Sequence, residues 1–256
     1  MRRILSIEYN KLIGYKAFWL LPGLYAILML LFFRFFTRLD MIQVNGERVP
    51  VETILQMDKV WHYLTWFAGF FHYLFIALII LLIGNEMRNG FWRMAVTSGL
   101  RRIDLLTGKW LVMAILGLFS TGIVLLVGYL AAGFAPIDIP ATGFPLQLSL
   151  LFFLQAFCYI QFGLTAGIWL ERTGLGILLV LLYAMAGEPL IGYFLPGDLK
   201  EWLPLNVFAS LIPNPVIEDL GFGVPAIDVT SSVFKSLVYC AGLGGLALLK
   251  VKRMDL

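Results

Sequence analysis

The stretch LTWFAGFFHYLFIALIILLIG, residues 64–84, carries no charged side chain, and it leads directly into NEMRNGFWRMAVTSGLRRIDLLTGK, residues 85–109. The first part reads as a helix across a bilayer, because a hydrocarbon core about 30 Å thick takes roughly 20 apolar residues at 1.5 Å each. Five further runs share its length and character, at 17–36, 109–134, 146–169, 174–195 and 231–249. No water is present in the bilayer core, so backbone N–H and C=O groups must pair within the protein, and a helix does this inside a single segment. The expected fold is all-α: a polytopic membrane protein with six transmembrane helices, built by residues 1–256 as one transmembrane domain.

Composition bounds the rest. The chain is 60% hydrophobic and 14% charged, whereas a globular domain carries about 25% charge. Its longest non-spanning stretches, 38–63, 85–108 and 196–230, leave no room for a soluble catalytic domain. Gly108-Lys109 does not open a phosphate-binding loop, since Ile103 stands where the first glycine belongs and Trp110 where a Ser or Thr belongs. No ATP site is expected, and no cofactor. The start Met-Arg-Arg-Ile-Leu-Ser-Ile-Glu-Tyr lacks the apolar core and small-residue cleavage site of a signal peptide, so the first span is expected to stay in the mature protein. Cys158 and Cys240 fall inside apolar runs, where thiols pack as small hydrophobes more often than they form a disulfide or a metal site. His62 and His72, ten residues apart on one helix, cannot share a metal. No nucleophile elbow, paired zinc-binding histidines or carboxylate pair is present, and nothing points to nucleic acid.

Lysine and arginine near span ends set orientation, favouring the cytoplasmic side. Alternating the loops across six spans puts thirteen of the 19 cations on the side of the two termini and six on the other. Both termini are therefore expected inside. Within the interfacial segment 1–16, residues 2–16 read as an amphipathic helix on the membrane surface, with Leu5, Tyr9, Leu12 and Ile13 on one face. Pro22-Gly23 kinks or starts the first span. In the first outer loop Asn45-Gly46 signals a turn. Tyr63, Trp66, Phe67, Phe70 and Phe71 open the second span as an interfacial aromatic belt or as the lining of a path for a lipid-like molecule. Segment 196–230 is broken by prolines and glycines, and its short apolar stretches such as 203–212 read as half-helices entering the outer leaflet or as an ordinary loop.

Few polar residues lie inside the runs. Glu188 is the one carboxylate well inside, about 20 Å along its helix from Gly174. It reads as a gate or substrate-path residue, or as a carboxylate that reaches the outer interface or caps a helix perturbed by Pro189. Gln155 and Gln161 are expected to bond to neighbouring helices, His72 to be a hydrogen-bonded core residue, and Gly163 with Gly167 to permit close packing.

The loop after the second span combines bulky apolar residues (Phe91, Trp92, Met94 and Val96) with Arg88, Arg93, Arg101 and Arg102. A short helix with an apolar knob and a basic rim suits a groove on a partner protein, or a surface of anionic lipid. The order Glu86-Met-Arg-Asn-Gly90-Phe-Trp-Arg93, then Thr97-Ser98-Gly99-Leu-Arg101-Arg102, then Gly108-Lys109 resembles the type-2 ATP-binding-cassette (ABC) exporter permeases. In that family a Glu-x-x-x-Gly stretch leads into a short cytoplasmic coupling helix, and a Ser…Arg turn and a Gly-Lys pair lead back into the membrane. The amino-terminal helix with Glu8 and Lys11, the six spans, the broken outer segment and the Lys252-Arg253-Met-Asp255 tail agree with it along the whole chain. Phe91 stands where a Thr is common, and Gly99-Leu100 where a proline is common.

The resemblance implies a membrane-spanning permease subunit in the bacterial plasma membrane. It would form a translocation path with a second, identical or related permease subunit and couple to separate ABC ATPase subunits. Glu86, Gly90, Phe91, Trp92, Arg93, Arg101 and Arg102 would make the ATPase-coupling segment, and Glu188 would line the gate or substrate path. The rival classes are a membrane-embedded enzyme and an anchoring subunit of a larger membrane complex.

Overall fold

All six apolar runs form helices. The computed structural model describes residues 2–36, 41–44, 47–50, 60–134, 146–215 and 229–254, and six of its helices are long and apolar enough to cross a membrane. Helix α1 (Arg2–Gly14) is separated at Tyr15 from α2 (Lys16–Phe36), the first span. The second span is α3 (Val60–Gly69) plus α4 (His72–Arg88), followed by the short α5 (Phe91–Thr97). The third is α6 (Arg102–Phe134) and the fourth α7 (Leu146–Leu170). The fifth comprises α8 (Thr173–Leu182), a π-helical turn (Tyr183–Gly187) and α9 (Glu188–Phe194). Two short helices, α10 (Gly197–Lys200) and α11 (Pro204–Ala209), precede the sixth span, α12 (Val229–Arg253). In the first loop, β1 (Met41–Val44) pairs antiparallel with β2 (Glu47–Pro50), Val44 opposite Glu47. Asn45-Gly46 lies outside the described residues, as do 135–145, 216–228 and Asp255.

Three boundaries differ from the sequence reading, each for a local reason. Helix α2 runs through Pro22 without starting there: Pro22 sits nearly two turns into a helix already begun at Lys16. The second span breaks after Gly69, where Phe70 and Phe71 donate three-residue turn bonds to Phe67 and Ala68. The third span begins at Arg102 rather than at residue 109, because Gly99 ends the preceding helix and the charged stretch 102–108 then winds as the first turns of α6.

The spans divide into an inner and an outer set. In spans two, three and four, 56%, 50% and 61% of the apolar window is buried within the protein, against 17%, 17% and 22% in spans one, five and six. Helices α4 and α7 pack most closely, through the small residues of α7. A Cβ on Gly163 would lie 2.9 Å from Ile79 Cγ2 and 3.1 Å from Ile76 Cα, and one on Gly167 would lie 3.4 Å from Ile80 Cα, as small-residue seams allow. The outside of the bundle is leucine-rich: Leu31, Leu118, Leu178, Leu182 and Leu190 are all exposed. An aqueous surface does not carry such a continuous apolar area, whereas lipid does. The protein is a multi-pass membrane protein.

The two ends of the bundle differ in character. At one end lie α1, α5, the start of α6 and the end of α12, tied by Arg102, which donates to the Val251 carbonyl at 3.1 Å, and by the Lys250–Glu171 pair at 2.8 Å. At the other, α10 and α11 fold back among the spans. Val207, Phe208, Leu211 and Ile212 are all buried there.

Candidate functional site

Two constellations of buried polar groups form, one at each end. The first grows from α5. Two glycines bound this helix, Gly90 at φ 66° and Gly99 at φ 92°. A Cβ at either would meet no atom within 4 Å, so the backbone conformation, not crowding, is what calls for glycine. At Gly99 the Leu100 N–H bonds the Ala95 carbonyl and the Gly99 N–H bonds the Val96 carbonyl. This left-handed cap ends α5 and turns the chain into α6.

Inside this turn four charges neutralise one another. Lys109 Nζ donates to Glu8 Oε1 at 3.1 Å and Oε2 at 3.0 Å, and to Glu86 Oε1. Lys11 Nζ bridges the same two carboxylates, at 2.7 Å from Glu8 and 2.9 Å from Glu86. Glu86 Oε2 accepts the Trp92 indole N–H at 2.8 Å. Lys11 also lies 4.1 Å from the centroid of the Phe91 ring, in cation–π contact. Glu8, Glu86, Lys109 and Trp92 are all buried. Two carboxylates and two ammoniums thus share one pocket, which is how buried charge becomes tolerable. The cluster ties α1, the end of α4, α5 and the start of α6 together. Glu86, Phe91 and Trp92 were legible as a motif. Glu8, Lys11 and Lys109 stood in the same resemblance but not among the expected site residues, and no spacing rule connects positions 8, 86 and 109.

The geometry distributes the residues of the expected knob and rim between the two faces of α5. Trp92 cannot project towards a partner, because its side chain is 1% exposed and bonded to Glu86. Phe91 lies half-buried under Lys11. The outward face of α5 is instead Arg93, Met94, Thr97 and Ser98, with Met94 59% exposed. Arg102 turns inward to carbonyls of α12. Arg101 stays outside and pairs with Asp104 at 3.0 Å, a contact that holds its guanidinium pKa above its usual value.

The second constellation surrounds Glu188. Its carboxylate is 3% exposed and accepts the backbone N–H groups of Leu205 at 3.0 Å and Asn206 at 2.6 Å. Those are the free donors of the first turn of α11, where a carboxylate is doubly favoured by hydrogen bonding and by the helix dipole. Glu188 therefore does cap a helix, but one contributed by a distant segment. It also lines a cavity of about 430 Å³ with Trp66, Phe70, Tyr73, Gln155, Tyr159 and Lys200. Gln155 donates from Nε2 to the Phe208 carbonyl at 3.0 Å, while its Oε1 is buried with no hydrogen-bond partner among the described residues. The aromatic cluster divides here: Trp66 and Phe70 line the cavity, whereas Phe67 stacks on Phe32 of the first span.

The other polar residues are held structurally. Gln161 accepts from the Trp110 indole at 3.1 Å, and His72 Nε2 lies 3.3 Å from Ser120 Oγ, with its ring beside Phe152. Cys158 and Cys240 face each other across α7 and α12 as free thiols. Compared with protein-family models, with curated proteins and with solved structures, the chain matches none.

Proposed function

We propose that the chain is the membrane-spanning permease subunit of an ATP-driven ABC exporter. Two such subunits, identical or related, form the translocation path, and separate ATPase subunits bind at the basic end of the bundle. The site of residence is the bacterial plasma membrane, with both termini and α5 in the cytoplasm and the α10–α11 segment outside. The chain performs no bond chemistry itself.

The observation that carries this reading is the anchoring of α5. A surface helix that presents Arg93 and Met94 outward is bolted on its inner side through Trp92 and Glu86 to Lys109 and Glu8. Force applied to its outer face therefore reaches spans two and three and the amino-terminal helix together, which is what coupling between an ATPase and a membrane path requires. The basic exterior, Arg88, Arg93 and Arg101, suits acidic residues around a partner's groove. The membrane path would include the Glu188 cavity.

The deciding experiment is co-purification from the native membrane. An ATPase subunit should be retained by the wild-type chain and lost from Met94→Glu, while both variants insert equally. Retention by Met94→Glu, with full transport, sinks the assignment of the outer face of α5. Absence of any ATPase from the wild-type preparation sinks the exporter reading itself.

A further inference from the structure

The Glu188 cavity contains a mismatch that the protein alone does not resolve. Gln155 Oε1 is a buried acceptor in a cavity that a carboxylate also lines, with no donor among the described residues to satisfy it. Leaving such an atom unpaired costs about 1–3 kcal/mol. The two Glu188 oxygens accept two backbone N–H groups, with the Tyr183 hydroxyl as a third donor, and one of their four lone pairs stays open. The surrounding wall is aromatic, with Trp66, Tyr73 and Tyr159. Acceptors without donors, a negative charge and aromatic walls together specify a cationic group that carries N–H bonds.

A second charge lies at the rim. The Lys200 stem packs over Gly192, where a Cβ would meet Lys200 Cγ at 3.5 Å and Cε at 3.6 Å. Gly192 is four residues beyond Glu188 on α9, so the Lys200 stem crosses this helix about one turn beyond the residue that carries the carboxylate, and Lys200 lines the same cavity. Lys200 is exposed and has no ion-pair partner among the described residues. Elsewhere on its surface the fifth span exposes apolar side chains, including Met185 and Leu190. Acceptors and a cation thus line one cavity, on a span whose outer surface is apolar.

We infer that this cavity binds the headgroup of an aminophospholipid. The primary ammonium occupies the space between Gln155 Oε1 and Glu188, the phosphate meets Lys200, and the acyl chains lie along the fifth span. A volume of about 430 Å³ accommodates a headgroup with its glycerol, at the small end of ordinary ligand cavities. A trimethylated headgroup fits worse, because it has no N–H to give Gln155. The site belongs to the isolated chain and does not depend on the exporter reading.

The test uses the purified full chain in detergent with a tail-labelled fluorescent phosphatidylethanolamine. Unlabelled phosphatidylethanolamine should displace it, while phosphatidylcholine and phosphatidylglycerol should be weaker by about tenfold, the scale of one lost charge-assisted hydrogen bond. Gln155→Met should lower affinity by a similar factor and remove the preference for the primary amine. Lys200→Ala, at an exposed position that does not threaten folding, should weaken the lipid several-fold and leave binding of a long-chain primary alkylamine unchanged. Equal displacement by all three lipids overturns the proposal, as does wild-type affinity in Lys200→Ala. Displacement by soluble phosphoethanolamine as strong as by the lipid makes the ligand a free zwitterion and overturns the lipid assignment.

Discussion

Glu86 and Glu188 are both carboxylates buried in apolar helices, yet they are satisfied by opposite means. Glu86 is met by side chains: two lysine ammoniums and an indole N–H, from three other elements. Glu188 is met by two backbone N–H groups of a single short helix and by the Tyr183 hydroxyl, with no ion pair among the described residues. In the first case charge is cancelled by charge, and the result is a rigid joint at which α1, α4, α5 and α6 meet. In the second, partial charges of peptide groups and a hydroxyl hold the carboxylate while a lone pair and an amide oxygen of the same cavity remain available. A neutral, saturated cluster suits mechanical connection. An unsaturated one beside a cavity suits recognition. The same side chain thus serves different ends according to who donates to it.

Replacing Lys109 by Met should have the largest effect. Two carboxylates would then face Lys11 alone, and breaking a buried ion network in this way costs about 3–5 kcal/mol. Thermal unfolding of the purified chain should shift far down, and Glu8→Gln added to Lys109→Met should cost less than Glu8→Gln alone. Additive losses would show that the lysine and the glutamate act separately.

Glu188→Gln sharpens the other side of the comparison. One amide oxygen can still accept a single N–H from α11, so the loss should be about 1–2 kcal/mol, the scale of a helix cap with its dipole contribution. Transport should fall further than this stability change explains. Full transport with normal substrate-stimulated ATPase activity would reduce Glu188 to a capping residue.

Arg101→Glu should leave the melting temperature unmoved, because the Arg101 side chain is 79% exposed and its pair with Asp104 is screened by water. Its effect should fall on ATPase association, measured by pull-down at equal membrane abundance. Orientation is checked separately with single cysteines in a Cys158/Cys240-free background. Positions Asn45 and Asp198 should react with an impermeant thiol reagent in intact cells and Asn89 should not. Labelling at Asn89 would invert the arrangement of the two ends.

The spans were legible because the bilayer imposes a length and a composition that few soluble segments reach, and all six runs became helices, five of them within a few residues of their expected bounds. The early start of α6 at Arg102 was not, since it depends on how Gly99 terminates the preceding helix rather than on hydropathy. Glu188 stood out as an odd carboxylate, and capping was among its readings. Its partners could not be named, because they are main-chain groups of Leu205 and Asn206 in a segment whose pattern left half-helix and loop open. Trp92 was legible as a bulky residue on a basic loop but not as an inward one. Only the position of Glu86, six residues back on the preceding helix, decides that.

The π-helical turn at Tyr183–Gly187 sets the azimuth of everything after it. Such a turn accommodates an extra residue relative to regular α geometry. Each residue of an α-helix advances the chain by about 100°. Were the turn wound as regular α-helix with no residue removed, α9 would rotate by roughly that angle about its own axis. Glu188 would then swing out of reach of α11 and towards lipid, and the cavity would lose its carboxylate without any change of amino acid at position 188. The bulge is therefore a phase setting, by which the fifth span enters with its apolar side to the bilayer and leaves with its one acid turned inward.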